Sequence, residues 1–387
     1  MKRNILLALV SLMVFSLNAG DKAEMWSRLY SRTTSMEQKV TAMEKMVLLD
    51  DPGLEITFTS ALDELINGEY LQYATGPQSY NWENIVRMSM NELAQFKAVD
   101  SAYLLMQIVN EHSGIIKADA IMALGDMRAL DYAGDIAMLL RNLNMNTASD
   151  KNSAELEAYS AVYALGKMKD ITGFSPVFYS HVGWYTRRTR NLAKNVLKDM
   201  LEDPSDQIMV IMEEADYKNK LIALNVELES SASAEGKEMV IIDALRQGVE
   251  IYSSDPMEKN DLYQLRIAAL TACYQQGISN PDSLEYLARA YREADKLEEK
   301  ILVVQAVGTN GSDDSIVLMS DWLDVFHEKM IGGVNPNNDE ITLITQLIYA
   351  LEISGNELAK PVLSEIEVYG YSNKINRAAA AALKNMS

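Results

Sequence analysis

A short phrase returns along this chain every few tens of residues. It starts with a basic residue, continues with a small apolar residue three positions on and another three further, and often closes on Leu-Gly. It reads Lys117-Ala120-Ala123-Leu124-Gly125, then Arg190-Ala193-Val196-Leu197, Arg266-Ala269-Ala272 and Lys300-Val303-Ala306-Val307-Gly308. Ala158-Ala161-Ala164-Leu165-Gly166 keeps the apolar part without the basic residue, and Ile344-Leu347-Ala350-Leu351 and Arg377-Ala380-Leu383 are weaker copies. Spacings of three and four place such side chains on one face of a helix. A unit that cannot bury its apolar face alone must stack on its neighbours. The phrase therefore predicts a row of stacked helix pairs rather than a globule around one central core.

The rest of the sequence agrees with an all-helical reading. Segments of strict apolar/polar alternation are scarce, and only 8 Pro and 19 Gly punctuate 387 residues. Phe96-Lys97-Ala98-Val99-Asp100-Ser101-Ala102 matches Met127-Arg128-Ala129-Leu130-Asp131-Tyr132-Ala133, 31 positions later. Asp100 and Asp131 are expected as N-caps there, because a short side-chain oxygen can accept the orphan amide hydrogens of a first turn. Ser175-Pro176, Asp203-Pro204, Asp255-Pro256 and Asn280-Pro281 read as further cap-then-proline helix starts. At roughly 30–45 residues per unit, residues 21–387 make about eight to ten units. The 22 Met residues suit irregular stacked interfaces, whose gaps a flexible thioether fills.

These phrases resemble HEAT repeats, in particular the short variety with Arg-x-x-Ala-x-x-Ala-Leu-Gly followed by an Asp-x-Ala turn. The resemblance covers most of residues 85–387. It implies an all-α, right-handed α-solenoid of stacked antiparallel helix pairs, with a TPR-like stack as the alternative fold. Several units depart from the pattern by lacking the basic residue or the glycine, and residues 205–262 fit it poorly. Residues 21–84 are helical but irregular and are expected to form an N-terminal cap. Polar stretches at 142–153, 229–237 and 331–339 are expected as inter-helix loops.

Lys2 and Arg3, an apolar run from Ile5 to Leu17 and the small-residue exit Asn18-Ala19-Gly20 predict a secretory signal peptide over residues 1–20. The apolar run is shorter than the roughly 20 residues a membrane span needs, so a periplasmic or secreted protein without stable membrane insertion is expected. The formal net charge of −20 repels nucleic acid and anionic lipid, which excludes both as general partners. Cys273 is the single cysteine, so no intramolecular disulfide can form, and its place beside Ala272 predicts a buried thiol.

No catalytic constellation emerges, and neither enzyme activity, a cofactor nor a metal site is expected. The three histidines, His112, His181 and His327, are far apart in sequence. Asp321, Asp324, His327 and Glu328 share a segment without any metalloenzyme spacing. One stretch stands apart. Trp184 and Tyr185 precede Arg187, Arg188, Arg190, Lys194 and Lys198, a basic stripe beside aromatics in an otherwise acidic chain. Arg and aromatic side chains dominate interface energetics. The expected function is a non-catalytic scaffold or adaptor. It would bind a protein partner through the inner surface lined by the second helix of each pair, with residues 187–198 as the docking site. The alternative is an accessory protein that binds an envelope polymer or small ligand. A second aromatic cluster, from Tyr70 through Tyr73 and Tyr80 to Trp82, is expected to seal the N-terminal cap.

Overall fold

The computed structural model describes residues 19–146, 150–369 and 372–386. Apart from its last two residues, the expected signal peptide lies outside them. The described chain is all-α, with twenty α-helices, six short 3-10 turns and no strand. It divides into two compact units that meet in sequence between Leu201 and Glu202. The first holds α1 (Ala19–Arg32), α2 (Met36–Val47), α3 (Glu55–Ile66), α4 (Ser79–Gln95), α5 (Ala102–Glu111), α6 (Gly114–Met127), α7 (Ala133–Met145), α8 (Lys151–Met168), α9 (Phe174–Val182) and α10 (Arg187–Asp199). The second holds α11 (Ser205–Glu214), α12 (Tyr217–Glu229), α13 (Ala234–Glu250), α14 (Pro256–Gln276), α15 (Asp282–Glu293), α16 (Leu297–Asn310), α17 (Asp313–Ile331), α18 (Asn338–Ser354), α19 (Lys360–Tyr369) and α20 (Asn373–Asn385).

Each unit is a two-layer helical stack. In the first, α2 packs on α4, α4 on α6, α6 on α8 and α8 on α10; in the second, α12 through α20 repeat the same even-numbered succession. The odd-numbered helices form the other layer, with α7 on α9 and, in the second unit, α11 on α13 and α13 on α15. Every copy of the phrase falls on an even-numbered helix. The even layer also reveals two copies that the sequence pattern left unseen, Lys39-Ala42 on α2 and Lys220-Ala223-Val226 on α12. Residues 205–262, irregular by phrase, hold α11, α12, α13 and the start of α14.

The closing glycine of the phrase has a specific contact. A Cβ on Gly125 would stand 2.4 Å from the Ala164 Cα, one on Gly166 would stand 2.8 Å from a Val196 methyl, and one on Gly308 would stand 3.0 Å from the Ala350 Cβ. Ala164, Val196 and Ala350 occupy one position of the phrase, immediately before its Leu. The glycine of one copy thus receives the small residue of the next, and this sets how closely successive even helices approach.

The basic residue has a ladder contact of its own. Lys117 of α6 pairs with Glu157 of α8 at 3.5 Å, and Arg266 of α14 pairs with Glu299 of α16 at 2.8 Å. Both glutamates stand one residue before the basic position of their own copy. On the first phrase helix of each unit the lysine is buried instead. Lys39 is 1 % exposed, donates to the Tyr30 carbonyl at 3.1 Å and lies 3.5 Å from Glu64 of α3. Lys220 donates to Gln247 Oε1 of α13 at 2.7 Å. Burial pushes the pKa of both lysines down, partly opposed by neighbouring carboxylates.

Helix ends differ between the units. Lys97, Arg128 and Lys169 follow α4, α6 and α8 with φ between 56° and 57°, whereas Gly277, Gly311 and Gly355 follow α14, α16 and α18 with φ between 61° and 68°. At Arg128 the terminus closes as a Schellman motif, the Ala129 N–H donating to the Leu124 carbonyl and the Arg128 N–H to the Gly125 carbonyl. A cation beside exposed helix carbonyls is favourable, which offsets part of the cost of a left-handed backbone on a residue with a Cβ.

The left-handed residue also corrects an expectation. Asp100 and Asp131 do not cap helices. They lie inside the 3-10 turns Val99–Ser101 and Leu130–Tyr132, and no side chain caps the helices that follow. Backbone bonds from Ser101 to the Ala98 carbonyl and from Tyr132 to the Ala129 carbonyl close those turns instead. Asp255 does cap α14, accepting from the Met257 and Glu258 N–H groups, whereas Ser175 and Pro176 lie inside α9 and Pro204 and Pro281, not the residues before them, hold the N-cap positions of α11 and α15. The three expected loops are shorter than their polar composition implied. Asn142 to Met145 belong to α7, Lys151 to Ser153 to α8, Ala234 to Lys237 to α13 and Asn338 with Asp339 to α18, while residues 147–149 lie outside the described residues.

Gly125→Ala is expected to lower stability by about 1–3 kcal/mol through overpacking, although the same change in an open helix gains up to about 1 kcal/mol. Gly134, with nothing within 4 Å of a built Cβ, is the control and should gain. Urea unfolding of the two variants checks the opposite signs. Arg128→Gly should raise stability by about 1 kcal/mol, by removing a left-handed backbone from a residue with a Cβ, read in the same assay.

Candidate binding surface

The basic stripe is a face of α10, an even-layer helix that carries the phrase. Thr189, Ala193 and Leu197 are its buried side. Arg187, Arg188 and Arg190 are exposed, and Lys194 and Lys198 are half-buried. Successive steps of three, four and four residues align Arg187, Arg190, Lys194 and Lys198 along the helix. Arg188 lies off that line, its guanidinium carbon 4.3 Å from the centroid of the Tyr159 ring on α8, a cation–π contact that orients the side chain.

The aromatics are mostly interior. Tyr185 is 3 % exposed, and Phe174 and Phe178 are fully buried. Tyr185 is therefore corrected from a contact residue to a packing residue. Its ring sits 4.4 Å from that of Trp184, filling the space where α10 begins. Trp184 is half-buried and donates from Nε1 to the Leu143 carbonyl at 3.3 Å. The exposed part of the stretch is thus Arg187, Arg188 and Arg190, with Trp184, Lys194 and Lys198 half-buried beside them.

The start of α10 is held by Glu155 of α8. One carboxylate oxygen accepts from the Thr186 and Thr189 hydroxyls, each at 2.5 Å, and the other from the Thr186 N–H at 3.0 Å. Burial acts to raise the pKa of this carboxyl, but the three hydrogen bonds and nearby Arg188 prevail and hold it below the usual carboxylate range. A carboxylate at a helix N-terminus also opposes the positive end of the helix dipole.

The other singled-out groups are packed into the fold. Trp82 is 1 % exposed and donates to the Leu65 carbonyl at 3.0 Å, and Tyr70 is buried with its ring 4.4 Å from Lys39 Nζ, while Tyr80 is exposed. His327 is buried with its ring 5.1 Å from that of Tyr369. Among the described residues no three His, Cys, Asp or Glu side chains converge as metal ligands, and no helix is long and apolar enough to cross a membrane. Cys273 is buried, and burial pushes its thiol up to about 12.

Sequence reasoning missed a cleft of about 670 Å³ in the second unit, lined by charged and apolar side chains, between the end of α13, the first half of α14, α15 and the start of α16. A signal was present in the spacing. α6, α10 and α16 each begin three residues before their basic phrase residue, whereas α14 begins ten before Arg266.

The chain matches no model of a known protein family, and comparison with curated proteins gives no significant match.

Glu155→Gln should lower the melting temperature at pH 7. The sign follows from the depressed pKa. The native carboxylate contributes stability above its unfolded pKa of about 4.3, and that contribution is lost as pH falls through the lower folded value. Calorimetric scans should therefore show the gap between wild type and variant closing below about pH 4.

Proposed function

We propose that this chain is a non-catalytic, exported scaffold of the HEAT-repeat type that binds a protein partner through the cationic face of α10. The observation that carries the reading is the placement of Arg187, Arg190, Lys194 and Lys198 along one helix of a packed stack, in a chain whose net charge is −20. Charge of one sign gathered on a rigid surface steers and orients an oppositely charged partner. The partner is an acidic protein segment, with Trp184 offering an apolar contact at the end of the stripe. The stacking layer supports this role because α10 is fixed on its opposite side by Ala193 and Leu197, both fully buried. A rigid cationic surface loses little conformational freedom on binding.

A photo-crosslinking residue at position 188, with position 374 as a distant control, tests the reading in cells. The expected result is one protein adduct at 188 that is absent at 374 and identified by mass spectrometry. Arg187→Glu with Arg190→Glu should reduce that adduct about tenfold by slowing association. Adducts that are equal at both positions, or that contain only polymer, overturn the protein-scaffold reading.

A further inference from the structure

The cleft in the second unit is more than the stack requires. Pairing of Arg266 with Glu299 is a ladder contact of the same kind as Lys117 with Glu157, and the helix that carries Lys117, α6, begins only three residues earlier at Gly114. In the first unit the Gly114 N–H donates to Glu157 Oε1 at 3.2 Å and covers that carboxylate. In the second unit the chain leaves α13 at Glu250, runs through residues 251–255 and starts α14 at Pro256, more than two turns ahead of Arg266. Those added turns carry Lys259 and Tyr263 over the ladder pair and form one wall of the cleft.

The pair at its base is under-satisfied. Glu299 is 3 % exposed, and its Oε1 lies 2.8 Å from Arg266 Nε without directional hydrogen-bond geometry, so neither atom has a hydrogen-bond partner. The Arg266 side chain is 15 % exposed, and its Nη1 makes only a 3.4 Å bond to the Gly248 carbonyl and a 3.8 Å contact with Glu293 Oε2. A guanidinium carries five N–H donors, so this one retains donor capacity toward the cleft. Glu293, half held by Arg289 at 3.0 Å, is 42 % exposed at the same opening.

The charge of the lining decides the class of ligand. Four cations, Lys259, Arg266, Arg289 and Lys296, face four carboxylates. A simple anion would meet the carboxylates and a metal ion the cations, whereas a dipolar molecule satisfies both. The volume lies within the range of small-molecule sites, about 300–1,000 Å³, and Tyr263 supplies an apolar surface. We propose that this cleft binds a small zwitterion, a free α-amino acid or a short peptide, with its carboxylate on the Arg266 guanidinium and its ammonium against Glu293. The site is independent of the α10 surface.

Isothermal titration calorimetry on the full chain tests it. The probes are the common L-amino acids one by one, glycyl-tyrosine and trialanine. At least one is expected to bind, and whether the tightest is an amino acid or a peptide identifies the source. The N-acetyl and C-amide derivatives of that probe, each lacking one charge, should bind at least tenfold more weakly. Arg266→Lys keeps the charge beside Glu299 and loses the fork that grips a carboxylate, so it should also weaken binding at least tenfold. Glu293→Gln, at the exposed rim, should do the same with an unchanged melting temperature, and stands in if Arg266→Lys does not fold. Absence of binding for every probe with Kd below about 1 mM, equal binding of the blocked derivatives, or binding untouched by the variants overturns the proposal.

Discussion

Close approach between successive even-numbered helices is the constraint on which the rest of the structure depends. Gly125 meets Ala164, Gly166 meets Val196 and Gly308 meets Ala350, each at a distance that leaves no room for another carbon. Interiors packed at crystal-like density respond to a single added methylene. Small residues at these positions therefore fix both the separation of the helices and their register, and the larger buried residues, such as Leu124, Leu165 and Val307, fill what remains. Each contact repeats between neighbours, so stability accumulates along the stack rather than around a single centre.

Electrostatics is arranged over that apolar frame. Basic phrase residues reach across to acidic ones on the next even helix where a glutamate precedes the next copy, as at Glu157 and Glu299. On α2 and α12, the first phrase helix of each unit, the lysine reaches instead to Glu64 or Gln247 on the following odd helix. The buried ammonium is compensated there by an oxygen acceptor and by tyrosine rings, Tyr30 and Tyr70 for Lys39 and Tyr217 for Lys220. The cations of α10 have a different standing. Arg187 and Arg190 lie outside on a helix whose apolar side already anchors it, and this gives that face its distinct character.

Much of the fold was legible in the sequence. Three-residue spacing of Ala and Leu marked seven of the even helices. The copies on α2 and α12 escaped notice because Lys45 and Glu227 interrupt their apolar positions. Asp100 and Asp131 misled for a different reason. Capping depends on backbone direction, and a left-handed Lys97 or Arg128 followed by a 3-10 turn carries the aspartate past the amides it would have served. At the candidate surface the cations of 187–198 were readable, but the burial of Tyr185 was not, since an aromatic beside arginines has the same sequence signature inside or outside.

The sequence by itself determined that this chain is all-helical, that its helices come in stacked pairs, and which helix of each pair carries the small-residue face, because three- and four-residue periodicity is a local property of the chain. Only the tertiary structure decided which side chains face solvent on α10, how Glu155 grips the start of that helix, and that Lys259, Arg266, Arg289 and Glu293 gather around one cleft. The pair from α14 and the pair from α15 stand more than twenty positions apart in sequence. Their meeting depends on the length of α14 and on the stacking distance between α14 and α16, which are set by packing among several helices and not by any one of them.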